Sequence, residues 1–157
     1  MLVGEQPGHE EDLRGRPFVG PAGQLLRTLL ATAGIPESRV YITNAVKHFN
    51  FELRGKRRLH KTPLQRHVAA CHDWLEREIA SRQPAVIVTL GVTALRAVLG
   101  RAITISAARG RDLARRDGIR IIATYHPSAI LRAPDPEVAA SLRAALVADL
   151  KTAAESR

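Results

Sequence analysis

Ile119–Ser128, IRIIATYHPS, is the stretch that decides the fold. Its first six residues, Ile119–Thr124, are apolar at all but Arg120 and Thr124 and too few for a typical helix. They read as a strand covered on both faces, which discharges into Tyr125-His126-Pro127-Ser128. Three further runs share that character: Met1–Val3, Val40–Thr43 and Ala85–Leu90. Helical spacing fills the intervals. Pro21–Ala33 carries Leu25, Leu26, Leu29 and Leu30 on one stripe, with Gly34 as its stop. Leu64–Ser81 repeats the pattern through Val68, Cys71, Leu75 and Ile79. Val92–Leu99 is a shorter helix closed by Gly100, and Pro136–Lys151 runs through Val138, Leu142, Leu146 and Leu150. Strand alternating with helix predicts an α/β fold, a three-layer α/β/α sandwich around a mainly parallel four-stranded sheet. The 157 residues make one domain. Met1-Leu2-Val3 reads as the end of a strand entered without the residues that should precede it, so an N-terminal segment upstream is expected.

The strands point to the site. Their carboxyl ends run into Gly4-Glu5-Gln6-Pro7-Gly8, Asn44-Ala45-Val46-Lys47, Gly91 and Tyr125–Ser128. In an open parallel sheet such segments share one edge, where ligands bind. Glu5 is a candidate carboxylate there, or else a local cap. Phe18, between Pro17 and Gly20, offers one face of a slot for a planar base, or a plug beneath its loop. Asn44 carries donor and acceptor together, as reading a nucleobase edge requires. His126 is held at a strand end, where it can donate to a developing oxyanion or serve as a satisfied structural histidine. The glycine-rich stretch Gly4–Gly20 matches neither a Walker A loop nor a GxGxxG fingerprint.

Charge narrows the partner. Lys and Arg number 24 against 15 Asp and Glu, a formal charge of +9, which favours a polyanion such as nucleic acid. Aromatics are only 4% of the chain, too few for broad stacking platforms. No apolar run is long enough for a membrane span. One cysteine, Cys71, cannot form an internal disulfide and suits a reducing bacterial cytoplasm. The basic residues gather in Phe49–Pro63, FNFELRGKRRLHKTP, where Arg54, Lys56, Arg57, Arg58 and Lys61 surround His60. Gly55 and Pro63 predict a surface loop there. It is either a solvated turn or a histidine offered to a polyanion.

GEQPGHEEDLRGRPFVGPAGQLL, with TNAVKHF and YHPSAILR, resembles the uracil-DNA glycosylase superfamily, in particular its family 4 iron–sulfur branch. Gln6 in GEQPG and the RGKRRLHKTP segment further resemble the UdgX group, whose members bind uracil-DNA covalently. The resemblance implies that Phe18 stacks on an extruded uracil, Asn44 reads its polar edge and His126 donates to its oxygen. It also implies that Glu5 lies near the sugar and that His60 traps the deoxyribose carbon. Gln6, Arg58 and Ser128 join the substrate-binding set, and the basic segment grips phosphates. One departure is His9, where the UdgX pattern carries Asp. The same resemblance implies a 4Fe–4S cluster in the complete protein. Cys71 and His48 occupy two ligand positions, and the remaining pair falls outside this chain. The expected partner is uracil-containing DNA, preferably single-stranded, bound by a monomer. Two rivals stand beside this reading: a multiple-turnover hydrolytic glycosylase, and a DNA-binding module without catalysis.

Overall fold

The computed structural model describes residues 1–156. In chain order the elements are β1 (Leu2–Gly4), α1 (His9–Arg14), α2 (Pro21–Thr32), a 3-10 turn (Glu37–Arg39), β2 (Ile42–Asn44), β3 (Phe51–Arg54), β4 (Arg57–His60), α3 (Gln65–Arg82), β5 (Val86–Leu90), α4 (Val92–Leu99), α5 (Ile105–Ala108), β6 (Leu113–Ala114), β7 (Arg120–Thr124), α6 (Pro127–Leu131) and α7 (Pro136–Glu155). The main sheet has the order β2-β1-β5-β7-β6. Its first four strands are parallel, with Leu2 beside Ile42 and Val88, and Ile87 beside Ile121. These four are the strands expected from the apolar runs.

The sheet gains a fifth strand, β6, antiparallel to β7. Two residues, Leu113 and Ala114, are too few to leave a pattern in the sequence. Side chains alternate across the sheet and build two cores. On one side Val3, Ile87, Ile121 and Ala123 pack against α3, α4 and α5 through Cys71, Leu75, Leu95 and Ala108. On the other, Leu2, Val88, Leu90 and Ile122 pack against α2, α6 and α7 through Leu26, Leu30, Ile130 and Leu146. The three-layer sandwich follows directly from apolar strands that demand cover on both faces. Arg115, buried beyond β6, accepts no solvent role. It bonds bidentately to Glu76 of α3 and to Asp117, and so ties the β6–β7 turn to the helix layer.

The basic segment corrects the expected loop. Phe51–Arg54 and Arg57–His60 pair antiparallel as a hairpin, with Arg54 opposite Arg57 and Phe51 opposite His60. Gly55, at φ 63°, makes the two-residue turn that closes it. Residues directly opposite share a face, so Phe51, Leu53, Arg58 and His60 lie on one side and Glu52, Arg54, Arg57 and Leu59 on the other. The hairpin therefore gives His60 a fixed bearing that a solvated loop would not.

Candidate active site

A cleft of about 370 Å³ opens at the carboxyl edge of the parallel strands. Glu5, Asn44, Gly91 and His126 meet there from four separate strand ends, as the topology predicts, and Phe18 and His60 complete the walls. The base of the cleft is tightly fitted. A Cβ on Gly4 would lie 2.5 Å from Asn44 Oδ1 and 2.6 Å from Phe18 Cζ, so only glycine lets those two side chains approach. Phe18 is buried and holds φ 54°, an uncommon value for a side-chain-bearing residue. Two contacts support it. Arg27 Nη1 donates to the Phe18 carbonyl at 2.6 Å, and Gly23 leaves room where a Cβ would sit 1.9 Å from that oxygen. The Phe18 and His126 rings are 5.7 Å apart at 30°.

Asn44 is buried, yet among the described residues its Oδ1 has no partner. A buried acceptor left open costs free energy unless a ligand donor satisfies it. The tautomer of His126 follows from its surroundings. The Ser128 backbone N–H donates to Nδ1 at 3.1 Å, and a backbone amide can only donate, so the neutral ring carries its proton on Nε2. Ser128 Oγ also contacts Nδ1, at 2.7 Å. Burial pushes the His126 imidazole down to about 4, although the Glu5 charge pulls the other way. It is thus a neutral N–H donor at physiological pH.

Glu5 leaves β1 and turns its carboxylate toward the hairpin. Oε1 meets His60 Nε2 at 3.0 Å, and Oε2 accepts from the Thr93 hydroxyl at 2.6 Å. Burial pushes the Glu5 carboxyl up, but the hydrogen bonds from His60 and Thr93 and the nearby imidazoles of His60 and His126 outweigh it. The group sits below the ordinary carboxylate range.

Gln6 lines the cleft and also serves as a strut. Its Nε2 donates to the carbonyls of Asn50 at 3.1 Å and Lys61 at 3.2 Å, and its Oε1 accepts from Asn50 N–H at 3.0 Å. One buried amide thus clasps both feet of the hairpin. Arg58 is also engaged within the protein. It pairs with Asp12 at 2.6 Å, donates to His9 Nδ1 at 3.1 and 2.8 Å, and lies over the Phe49 and Phe51 rings. His9 therefore supplies a neutral acceptor to the same guanidinium that Asp12 pairs with. Arg54, Lys56, Arg57 and Lys61 remain exposed on the hairpin.

The sequence profile of the uracil DNA glycosylase superfamily matches residues 1–151. The chain belongs to the uracil-DNA glycosylase superfamily. A type-4 uracil-DNA glycosylase of Thermotoga maritima is 42% identical over 133 residues, which cover 84% of this chain and 66% of that protein. Its counterpart in Archaeoglobus fulgidus is 39% identical over 141 residues, 85% of this chain and 67% of that protein. A type-5 uracil-DNA glycosylase of Pyrobaculum aerophilum is 31% identical over 144 residues, 82% and 60% respectively. The chain spans about two thirds of the length of the curated relatives it matches.

Within this superfamily framework, three residues of the site escaped sequence reasoning. Thr93 sits one residue inside α4, Asn50 caps the hairpin feet, and Glu11 closes the glycine-rich loop by accepting from Gly20 N–H at 2.9 Å. Each is an ordinary polar residue whose partner lies elsewhere in the chain. The two positions implied for a cluster do not by themselves fit one. Cys71 is buried, with its sulfur accepting from Lys47 N–H at 3.3 Å, while His48 is exposed. Among the described residues no group of three or more His, Cys, Asp or Glu side chains could hold a metal. A cubane needs four ligands.

Proposed function

We propose that this domain excises uracil from DNA and then becomes bonded to the abasic deoxyribose through His60. The observation that carries the proposal is the His60–Glu5 pair at the mouth of the slot walled by Phe18, Asn44 and His126. Relatives named uracil-DNA glycosylases supply the substrate class. The extruded base enters the slot and stacks on Phe18. Asn44 Oδ1 takes the N3–H of uracil as the donor it lacks, whereas cytosine would present a lone pair there. His126 Nε2–H donates to the base oxygen on which negative charge develops as the glycosidic bond breaks. Because the ring is neutral, it gives a hydrogen bond without losing a proton. The Glu5 carboxylate stabilises the cationic sugar carbon on the opposite side.

His60 completes the sequence. The glycosidic bond breaks with its electron pair leaving on uracil, and an imidazole lone pair forms a new C–N bond to the sugar carbon. The ring becomes an imidazolium whose remaining N–H proton passes toward Glu5 or solvent. The product is an N-alkylimidazole, a poor leaving group for water, so each molecule reacts once. Extrusion costs a few kcal/mol from duplex and less from a single strand, which favours single-stranded substrate. Arg54, Lys56, Arg57 and Lys61 offer phosphate contacts to it, with a salt-dependent affinity. The substrate complex in this reading is a monomer on single-stranded DNA.

A hydrolytic reading has support of its own, since a carboxylate such as Glu5 can equally orient water. A denaturing gel separates the two. Protein mixed with labelled single-stranded DNA carrying one uracil should give a heat- and SDS-resistant shift, absent with thymine DNA and with His60→Ala. Alkali-labile abasic DNA accumulating over many turnovers, with no shift, would replace trapping by hydrolysis. Tight binding indifferent to uracil would overturn both.

A further inference from the structure

We infer that Thr93 is a positioning residue for His60, acting through Glu5: its hydroxyl fixes one carboxylate oxygen so that the other meets the imidazole. The inference rests on the reading of Glu5 and His60 given above. Thr93 is the second residue of α4, which leaves the end of β5 through Gly91 at φ 91°. Glu5 Oε2 receives the Thr93 hydroxyl at 2.6 Å, and among the described residues no other side chain donates to that oxygen. Oε1 is left for His60 at 3.0 Å. The terminal torsion of a glutamate is broad and has no strong preference of its own. Two opposed bonds are therefore what set the plane of this carboxylate. The position also suits an anion, because it faces the N-terminal turn of α4.

Removing the hydroxyl has three linked effects. Oε2 loses its donor, the carboxylate is free to rotate away from His60, and the carboxyl becomes easier to protonate. The titratable groups facing Glu5 are His60 from β4 and His126 from the start of α6. Glu11 and Arg132 line the same cleft. None of these replaces a donor on the α4 side. Valine preserves the shape of Thr93 at this half-buried position, and serine preserves its hydroxyl.

Two measurements test the inference. The first needs no DNA: the Glu5 carboxyl is titrated by carbon NMR in the wild type, Thr93→Val and Thr93→Ser. Thr93→Val should titrate at higher pH, and Thr93→Ser should stay near the wild type. Identical titration of all three overturns the inference. The second is the single-turnover rate of adduct formation on uracil-containing single strands across pH. Thr93→Val should slow it by about ten- to a hundredfold at neutral pH, the range for a lost bond to a charged group. It should also move the acid limb upward, and Thr93→Ser should restore both. A uniform slowing with an unmoved acid limb and no rescue by serine overturns it. If the wild type releases uracil but forms no adduct, the trapping role of His60 fails, and the NMR titration still decides whether Thr93 holds Glu5.

Discussion

Replacing Gln6 by methionine should free the hairpin and leave the sheet intact. The side chain is 8% exposed, and its amide makes three hydrogen bonds to the backbone of Asn50 and Lys61. Methionine fills a similar volume without any of them. The carbonyls keep other partners, because Asn50 O also accepts from Lys61 N–H and Lys61 O from Asn50 Nδ2. Among the described residues only the Asn50 N–H loses its sole acceptor. Three bonds at about 1 kcal/mol each set an upper figure, and the two retained carbonyl contacts bring the loss to about 1–2 kcal/mol. At about 1.4 kcal/mol per factor of ten, the hairpin opens roughly 5- to 30-fold more often. Amide hydrogen exchange should read this directly as lost protection over residues 50–61, with β5 and β7 unchanged. Covalent capture should slow, because His60 leaves Glu5 whenever the hairpin opens. Unchanged hairpin protection together with an unchanged capture rate would refute the strut.

Other consequences follow from the same contacts. Gly4→Ala should abolish uracil excision, since the new Cβ meets Asn44 and Phe18. A folded variant with wild-type excision would contradict the fitted slot. Arg115→Met should lower stability by about 2–3 kcal/mol, measured by urea melting, because Glu76 and Asp117 lose their shared partner. The Arg115 hydrogen bonds hold both carboxyls below their ordinary range. That stability is present above the usual carboxylate values and lost as pH falls below about 4.5, an acid slope that Arg115→Met should flatten. His126 acts in a higher window. Its folded value of about 4 lies below the ordinary 6.5, so between those values the unfolded chain binds a proton that the native state refuses. Stability should fall as pH drops from 6.5 toward 4, and His126→Gln should remove that slope.

Local pattern and non-local contact divide what the sequence made legible. The four parallel strands are short apolar runs covered on both faces, and the long helices carry unbroken stripes, so both were readable from neighbours in sequence. Val92–Leu99 was placed to the residue, because Gly91 and Gly100 bracket it. Convergence of Glu5, Asn44, Gly91 and His126 followed from topology alone. The hairpin did not, because its alternation of Phe51 and Leu53 with charged residues is dominated by cations. Its clasp, moreover, joins Gln6 to residues 44 and 55 positions away. Gln6 and Arg58 were read as reaching for substrate, and their contacts with the hairpin feet and with α1 left no signal in the sequence. Thr93 left no signal at all, since one threonine at the start of a helix becomes informative only when its partner is known. The neutral Nε2–H form of His126 likewise depends on the Ser128 amide, a detail of the turn rather than of the motif.

The central claim is a carbon–nitrogen bond between His60 and the sugar, and peptide mass mapping tests it most directly. The protein is incubated with an excess of single-stranded DNA carrying one uracil, then digested with nuclease and protease. The account predicts one free uracil per protein and a His60-containing peptide bearing the mass of a deoxyribose phosphate remnant. An unmodified His60 peptide, with uracil released far beyond the amount of protein, would contradict it.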